Sequence, residues 1–203
     1  MQDNAPLFIL RSKNLTGPAK GQPAIHVTTT SQFKWLYNDS GSGARRDISI
    51  WRPTPAEGLF ILGDNAVSNW AEPTNASMVI TVVNDDPNNP LVKPPVGFVE
   101  IWNDRGSGGN FDCSLWRPKA PDGYLSLGDV CANYYGLPDV PTYRCIRKDL
   151  VTDSETEGMI WDDRGSGSKG DCMVWKLSGV YGAFVAQGNY NPYIGDCFKL
   201  AGK

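Results

Sequence analysis

Trp102-Asn103-Asp104-Arg105-Gly106-Ser107-Gly108, followed by Asp112, Cys113, Leu115, Trp116, Arg117 and Pro118, decides the fold because it occurs three times. The first copy is Tyr37-Asn38-Asp39-Ser40-Gly41-Ser42-Gly43, then Asp47, Ile50, Trp51, Arg52 and Pro53. The third is Trp161-Asp162-Asp163-Arg164-Gly165-Ser166-Gly167, then Asp171, Cys172, Val174, Trp175 and Lys176. Each copy sets an aromatic, an Asn or Asp, an Asp, one variable residue and Gly-Ser-Gly ahead of a second Asp. That second Asp falls eight positions after the first, and a Trp follows four residues later. Matches in register three times over identify a repeat protein, whose units have to pack together to bury a core.

Outward from the motif, Asp39 and Asp104 stand 65 residues apart and Asp104 and Asp163 stand 59 apart. Three units follow, over about 24–83, 97–147 and 158–200, with the polar, proline-rich stretch Asn84–Pro95 as a boundary. Copies one and two continue alike, through Trp51-Arg52-Pro53 and Trp116-Arg117-Pro118 to Leu62-Gly63-Asp64 and Leu127-Gly128-Asp129. In copy three, Trp175-Lys176-Leu177-Ser178-Gly179 replaces the proline turn, and Gln187-Gly188-Asn189 is placed against Leu-Gly-Asp. The third unit reads as a degenerate copy.

Gly (22), Pro (15), seven Trp and eight Tyr point to many turns and short aromatic-rich strands. Leu7–Leu10, Ala24–Thr30, Phe33–Tyr37, Asp47–Trp51, Leu59–Leu62 and Met78–Val83 read as strands, and a loop is expected over Asn14–Pro23. Units two and three repeat the order, and no segment sustains a helical period. The expectation is a single all-β domain, β-prism-like, of three four-stranded repeats about a pseudo-threefold axis. A β-trefoil is the other architecture, disfavoured by unit length and the missing Gln-x-Trp signature.

A net charge of −3 gives no general attraction to nucleic acid. No window approaches the apolar length of a membrane span, and the N-terminus carries no signal-peptide pattern, so the expected localisation is cytoplasmic, with peripheral membrane association in one reading. The five cysteines lack zinc-type close pairs and read as reduced, structural thiols. Sequons at Asn14, Asn38 and Asn75 read as chance in that setting. The lone His26 sits in a β-branched run, and no nucleophile elbow, zinc-binding His pair or phosphate loop is present, so no enzyme and no cofactor are expected.

The motif itself admits two roles. Asp39, Asp104 and Asp163 can accept N–H bonds of their own loops, and Asp47, Asp112 and Asp171 can tie the far ends, making staples. Alternatively the loops hold a ligand through Asp39, Gly41, Gly43, Asp47, Asp104, Gly106, Gly108, Asp112, Asp163 and Asp171. Sugar hydroxyls would then meet carboxylates and glycine N–H groups, with Tyr37 or Trp102 stacked on the pyranose. A Ca²⁺ ion is the weaker form, since each loop supplies only two or three carboxylates. Arg45, Arg46, Arg105, Arg164 and Lys169 offer an anionic headgroup a positive surface. Units one and two, with intact frames, are expected to bind better than unit three.

The strings Asn103–Gly108, Asp112–Pro118, Pro121–Tyr124, Leu127–Asp129 and Tyr143–Asp149, recurring at Asn38–Gly43, Asp47–Pro53 and Leu62–Asp64, carry a resemblance over about two thirds of the chain. The chain resembles the vacuolar protein sorting-associated family that is sixty-second in its naming series. It is similar, too, to the adaptor-binding repeats of large vacuolar-sorting lipid-transfer proteins. The resemblance implies a β-prism module of the kind that attaches proteins to membranes, glycans or short peptides and at times accompanies pore-forming domains. The expected function is therefore lectin-like: non-catalytic recognition of a glycan or anionic membrane surface through the repeat loops. The alternatives are a peptide-docking adaptor with a protein partner in trafficking, or the targeting part of a defence or pore-forming toxin system.

Overall fold

Each motif opens with a strand, turns at Gly-Ser-Gly and returns antiparallel, so three hairpins form the frame. A computed structural model of the chain describes residues 8–10, as backbone, and 21–202. Most of the expected Asn14–Pro23 loop, Leu7 and the Asn14 sequon lie outside the described residues. Strand β1 (Phe8–Leu10) is followed in repeat one by β2 (Ala24–Thr30), β3 (Phe33–Asn38), β4 (Ser49–Pro53), β5 (Phe60–Ile61), β6 (Asn65–Val67) and β7 (Ser77–Val83). Repeat two holds β8 (Val92–Lys93), β9 (Gly97–Asn103), β10 (Ser114–Lys119), β11 (Tyr124–Leu125), β12 (Val130–Ala132) and β13 (Cys145–Arg147). Repeat three holds β14 (Val151–Ser154), β15 (Thr156–Asp162), β16 (Met173–Leu177), β17 (Phe184–Gln187) and β18 (Cys197–Leu200). The fold is all-β, and the only helical turn among the described residues is the 3-10 turn Lys148–Leu150.

Every repeat carries two small antiparallel sheets in place of one four-stranded sheet. The inner sheets are β3-β4-β6, β9-β10-β12 and β15-β16-β17; the outer ones are β1-β2-β7-β5, β8-β13-β11 and β14-β18. Strands β8 and β14 extend repeats two and three towards their N-terminal sides, so β8 falls inside the Asn84–Pro95 stretch that read as linker. The strands after the loops begin at Ser49, Ser114 and Met173, which leaves Asp47, Asp112 and Asp171 in the loops.

The inner sheets enclose one core built from equivalent positions. Tyr37, Trp102 and Trp161 form one layer, Ile48, Cys113 and Cys172 another, and Ile50, Leu115 and Val174 a third. Mixed shape at equivalent sites keeps the volume filled: the two Trp rings meet edge to face at 5.6 Å, and the thiols take the place of Ile48. All five cysteines are free and buried. Burial pushes the Cys113 and Cys172 thiols up, that of Cys145 to about 12 and that of Cys197 to about 11, away from the reactive thiolate. This three-sided arrangement about a pseudo-threefold axis is compatible with a β-prism.

Where the axis passes through the inner sheets, three residues touch. A Cβ on Gly63 would lie 2.9 Å from the Gly128 Cα, and one on Gly128 would lie 2.9 Å from the Ala183 Cβ. The Leu-Gly-Asp glycine is thus the residue that lets repeats meet. Register fixes its third counterpart: Trp51 pairs with Asn65, Trp116 with Val130 and Trp175 with Val185. Gly182-Ala183-Phe184 therefore corresponds to Leu-Gly-Asp, not Gln187-Gly188-Asn189, because the preceding turn is shorter.

The aspartate of Leu-Gly-Asp joins neighbouring repeats. Arg52 donates through Nε and Nη2 to Asp64 at 2.9 and 2.8 Å, and Asp64 also accepts the Cys131 N–H of the next repeat at 2.8 Å. Arg52 Nη2 in turn donates to the Cys131 carbonyl at 2.6 Å. Arg117 and Asp129 repeat this at 3.0 and 2.8 Å, with the Ala186 N–H held at 2.7 Å and the Ala186 carbonyl at 2.9 Å. Between repeats three and one the equivalents are Lys176 and Phe184. Phe184 is fully buried in the central core, Lys176 reaches Glu157 at 2.5 Å, and the backbones meet in an isolated bridge between Asn65 and Ala183.

Candidate functional site

The three Gly-Ser-Gly loops converge at one end of the axis. In each, the glycines sit at positive φ (Gly41 at 81° and Gly43 at 78° in the first), a region that side chains resist. The loops are tied in a closed ring: the Arg45 N–H donates to the Arg164 carbonyl at 3.0 Å, Lys169 to Arg105 at 3.0 Å, and Asn110 to Ser40 at 2.9 Å. The glycines allow this contact, since a Cβ on Gly165 would come within 2.9 Å of the Gly43 carbonyl.

The first aspartate of each motif is buried and occupied by its own loop. Asp39, Asp104 and Asp163 accept the N–H groups of Ile48, Cys113 and Cys172 at 3.1, 3.0 and 2.9 Å. Asn38, Asn103 and Asp162 each accept the N–H two residues on at 3.2 Å. This is the staple geometry. Asp47, Asp112 and Asp171 are exposed at the loop margins. Among the described residues no three His, Cys, Asp or Glu side chains converge to hold a metal ion.

The expected sugar-stacking rings are elsewhere. Tyr37 is 2% exposed and Trp102 5%, because the residue that opens the motif points to the axis. Trp102 donates its indole N–H to the Gly170 carbonyl at 2.8 Å, and Trp161 donates to the Arg46 carbonyl at 2.9 Å and to Asp39 at 3.0 Å, each on the neighbouring repeat's loop. Different aromatics face the loop carboxylates: Trp70 donates to Asp39 at 2.7 Å, Tyr135 to Asp112 at 2.9 Å and Tyr190 to Asp163 at 2.7 Å. The sequence signal for these lay in their equal spacing after β6, β12 and β17, a spacing obscured by the shortened turn of repeat three.

Arg105 and Arg164 lie over the Tyr135 and Tyr190 rings, with the guanidinium carbon 4.3 and 4.2 Å from the centroids. Burial first, then the hydrogen bond to Asp112, holds the Tyr135 phenol above its ordinary value; Tyr190 is raised by burial and Asp163. Repeat one offers Ser40 and Trp70 at these places, so the loop decoration groups repeats two and three. Asp162 draws Arg164 to 3.3 Å and Arg46 to 3.6 Å. Arg105 has no carboxylate within ion-pair distance among the described residues. It shares with Lys169 of repeat three a cleft of about 430 Å³ that Trp102, Asn103 and Asp171 also line.

Three equivalent hairpins, a shared core and a ring of tied loops define a three-repeat, all-β module. The family model for vacuolar protein sorting-associated protein 62 matches residues 19–191, and the chain belongs to that family. Among solved structures, GNIP1Aa from Chromobacterium piscinae is similar, with 29% identity and a TM-score of 0.69 over 83% of this chain. This chain spans 34% of the length of that one. No curated protein matches the chain. No helix among the described residues is long and apolar enough to cross a membrane.

Proposed function

We propose that the chain is a non-catalytic recognition module that binds an anionic group, on an acidic glycan or on a membrane headgroup, at its loop-bearing end. The observation that carries this reading is the convergence of Arg105 and Lys169, from two repeats, on one cleft. Stacking on Tyr135 fixes the guanidinium plane, which leaves its outer N–H edge oriented for a phosphate or carboxylate. The ten Asp and Gly positions shape the loops in this reading, and the loops in turn are tied where the Lys169 N–H donates to the Arg105 carbonyl. The end is mixed in charge: Glu100 and Asp171 line the same cleft as the two cations, and Asp47 and Asp112 are exposed in the same loops. Recognition is therefore local, adding about 1 kcal/mol per basic residue at an anionic membrane.

Flotation with neutral and anionic liposomes, beside an array of acidic and neutral glycans, tests the reading. Binding to one anionic class is expected, with loss on combining Arg105→Ala and Lys169→Ala while stability changes by less than about 0.5 kcal/mol. Absence of binding to any anionic ligand, or anionic binding that survives the double substitution, contradicts it. Silence in both assays with capture of a proline-containing peptide favours adaptor docking instead.

A further inference from the structure

The unbridged junction between repeats three and one contains a second cleft, larger than the first. Its place is that of the ion pairs elsewhere: Lys176 stands where Arg52 and Arg117 stand, and Ala66 where Cys131 and Ala186 accept the bridge. Three changes act together there. Phe184 turns into the core, Lys176 turns out to Glu157, and the space between is left open at about 680 Å³. That volume lies within the roughly 300–1,000 Å³ of small-molecule sites.

We propose that this cleft is a binding site for a neutral saccharide. Ser68, Asn69, Thr74 and Asn75 line one wall, and Met159 and Ile160 line the other. Amides and hydroxyls both donate and accept, which matches sugar hydroxyls, and an aliphatic wall matches the C–H face of a pyranose. A wholly apolar ligand would leave the amides unpaired. The cleft's two charged groups, Lys176 and Glu157, neutralise one another at 2.5 Å, so no fixed charge selects an anion. β15 is an edge strand of its sheet and lines the same cleft, so capture there of a peptide strand in place of a neutral glycan overturns the proposal. Tyr181, 57% exposed, also lines the cleft.

Gly158 provides the test. It lines the cleft, and a Cβ built on it meets nothing within 4 Å, so a side chain can be started there without a backbone clash. The full chain is screened on an array of neutral oligosaccharides, and the ligand found is titrated by calorimetry. A neutral glycan is expected to bind, and Gly158→Trp to weaken it at least about tenfold with the melting temperature unchanged. Should Gly158→Trp unfold, Asn75→Ala, at an exposed side chain, makes the same comparison. The Arg105→Ala, Lys169→Ala double variant is expected to leave this affinity intact, which separates the site from the loop-end cleft. An array without neutral hits, binding unaffected by the cleft variants, or binding lost with the loop-end pair overturns the proposal.

Discussion

Two of the three repeat junctions are closed by a bidentate arginine–aspartate pair, and the third is closed by backbone and apolar contact with a cleft beside it. A buried ion pair exchanged as a unit for apolar packing costs little, whereas one stripped of a single partner leaves a charge without compensation. The third repeat made the exchange as a unit. Phe184 took the core, and Glu157 stands to hold Lys176. The copy that looks worn in sequence is internally consistent, with two exceptions among the described residues: Met173 stands where Ser49 and Ser114 accept the Trp51 and Trp116 indole N–H, so the Trp175 N–H is left without an acceptor, and the buried Tyr193 hydroxyl also lacks a partner.

The comparison can be broken most forcefully at a bridge. Asp64→Ala strands Arg52, whose side chain is only 15% exposed, and should cost about 3–5 kcal/mol in urea denaturation. A loss below about 1 kcal/mol, the range of exposed pairs, would remove the bridges from the account. At the axis, Gly128→Ala should cost about 1–3 kcal/mol by crowding Leu62 and Ala183, and a neutral result would show that the junctions are loose. Asp104→Asn tests the loops that all three repeats share. About 1–2 kcal/mol should be lost as the Cys113 N–H meets a weaker acceptor, with affinity in either cleft retained. Lost affinity at unchanged stability would make that aspartate a ligand.

The smallest effect belongs to the third junction. Lys176 holds Glu157 below the usual glutamate range. A depressed folded value gives stability that is present above the unfolded pKa of about 4.3 and is lost as pH falls through the folded one. Both groups are half exposed, so the loss should stay under about 1 kcal/mol and vanish in Glu157→Gln, measured by denaturation between neutral and acid pH.

The repeat, the all-β class and the loop hydrogen bonds of Asp39, Asp104 and Asp163 were legible because they rest on residues close in sequence. The two-sheet construction was not. Strands such as β5 and β11 are two residues long, too short for any alternation to register. The direction of Tyr37 and Trp102 was hidden for another reason: an aromatic before a polar loop reads equally as core or as platform until the partner repeat is in place. Nor could the third Leu-Gly-Asp be found by counting. Thirteen positions separate Trp51 from Asp64 and Trp116 from Asp129, but nine separate Trp175 from Phe184. Both clefts lie between repeats, where distant segments meet, and no local pattern marks them.

Whether the junctions differ in kind is tested most directly by two double-mutant cycles run in one denaturation experiment, Arg117 with Asp129 and Lys176 with Glu157. Each cycle isolates the coupling of its own pair. The expected couplings are about 1.5–3 kcal/mol for the bridge and about 0.2–1 kcal/mol for the exposed pair. Equal couplings would contradict the division of the molecule into two bridged junctions and one open one.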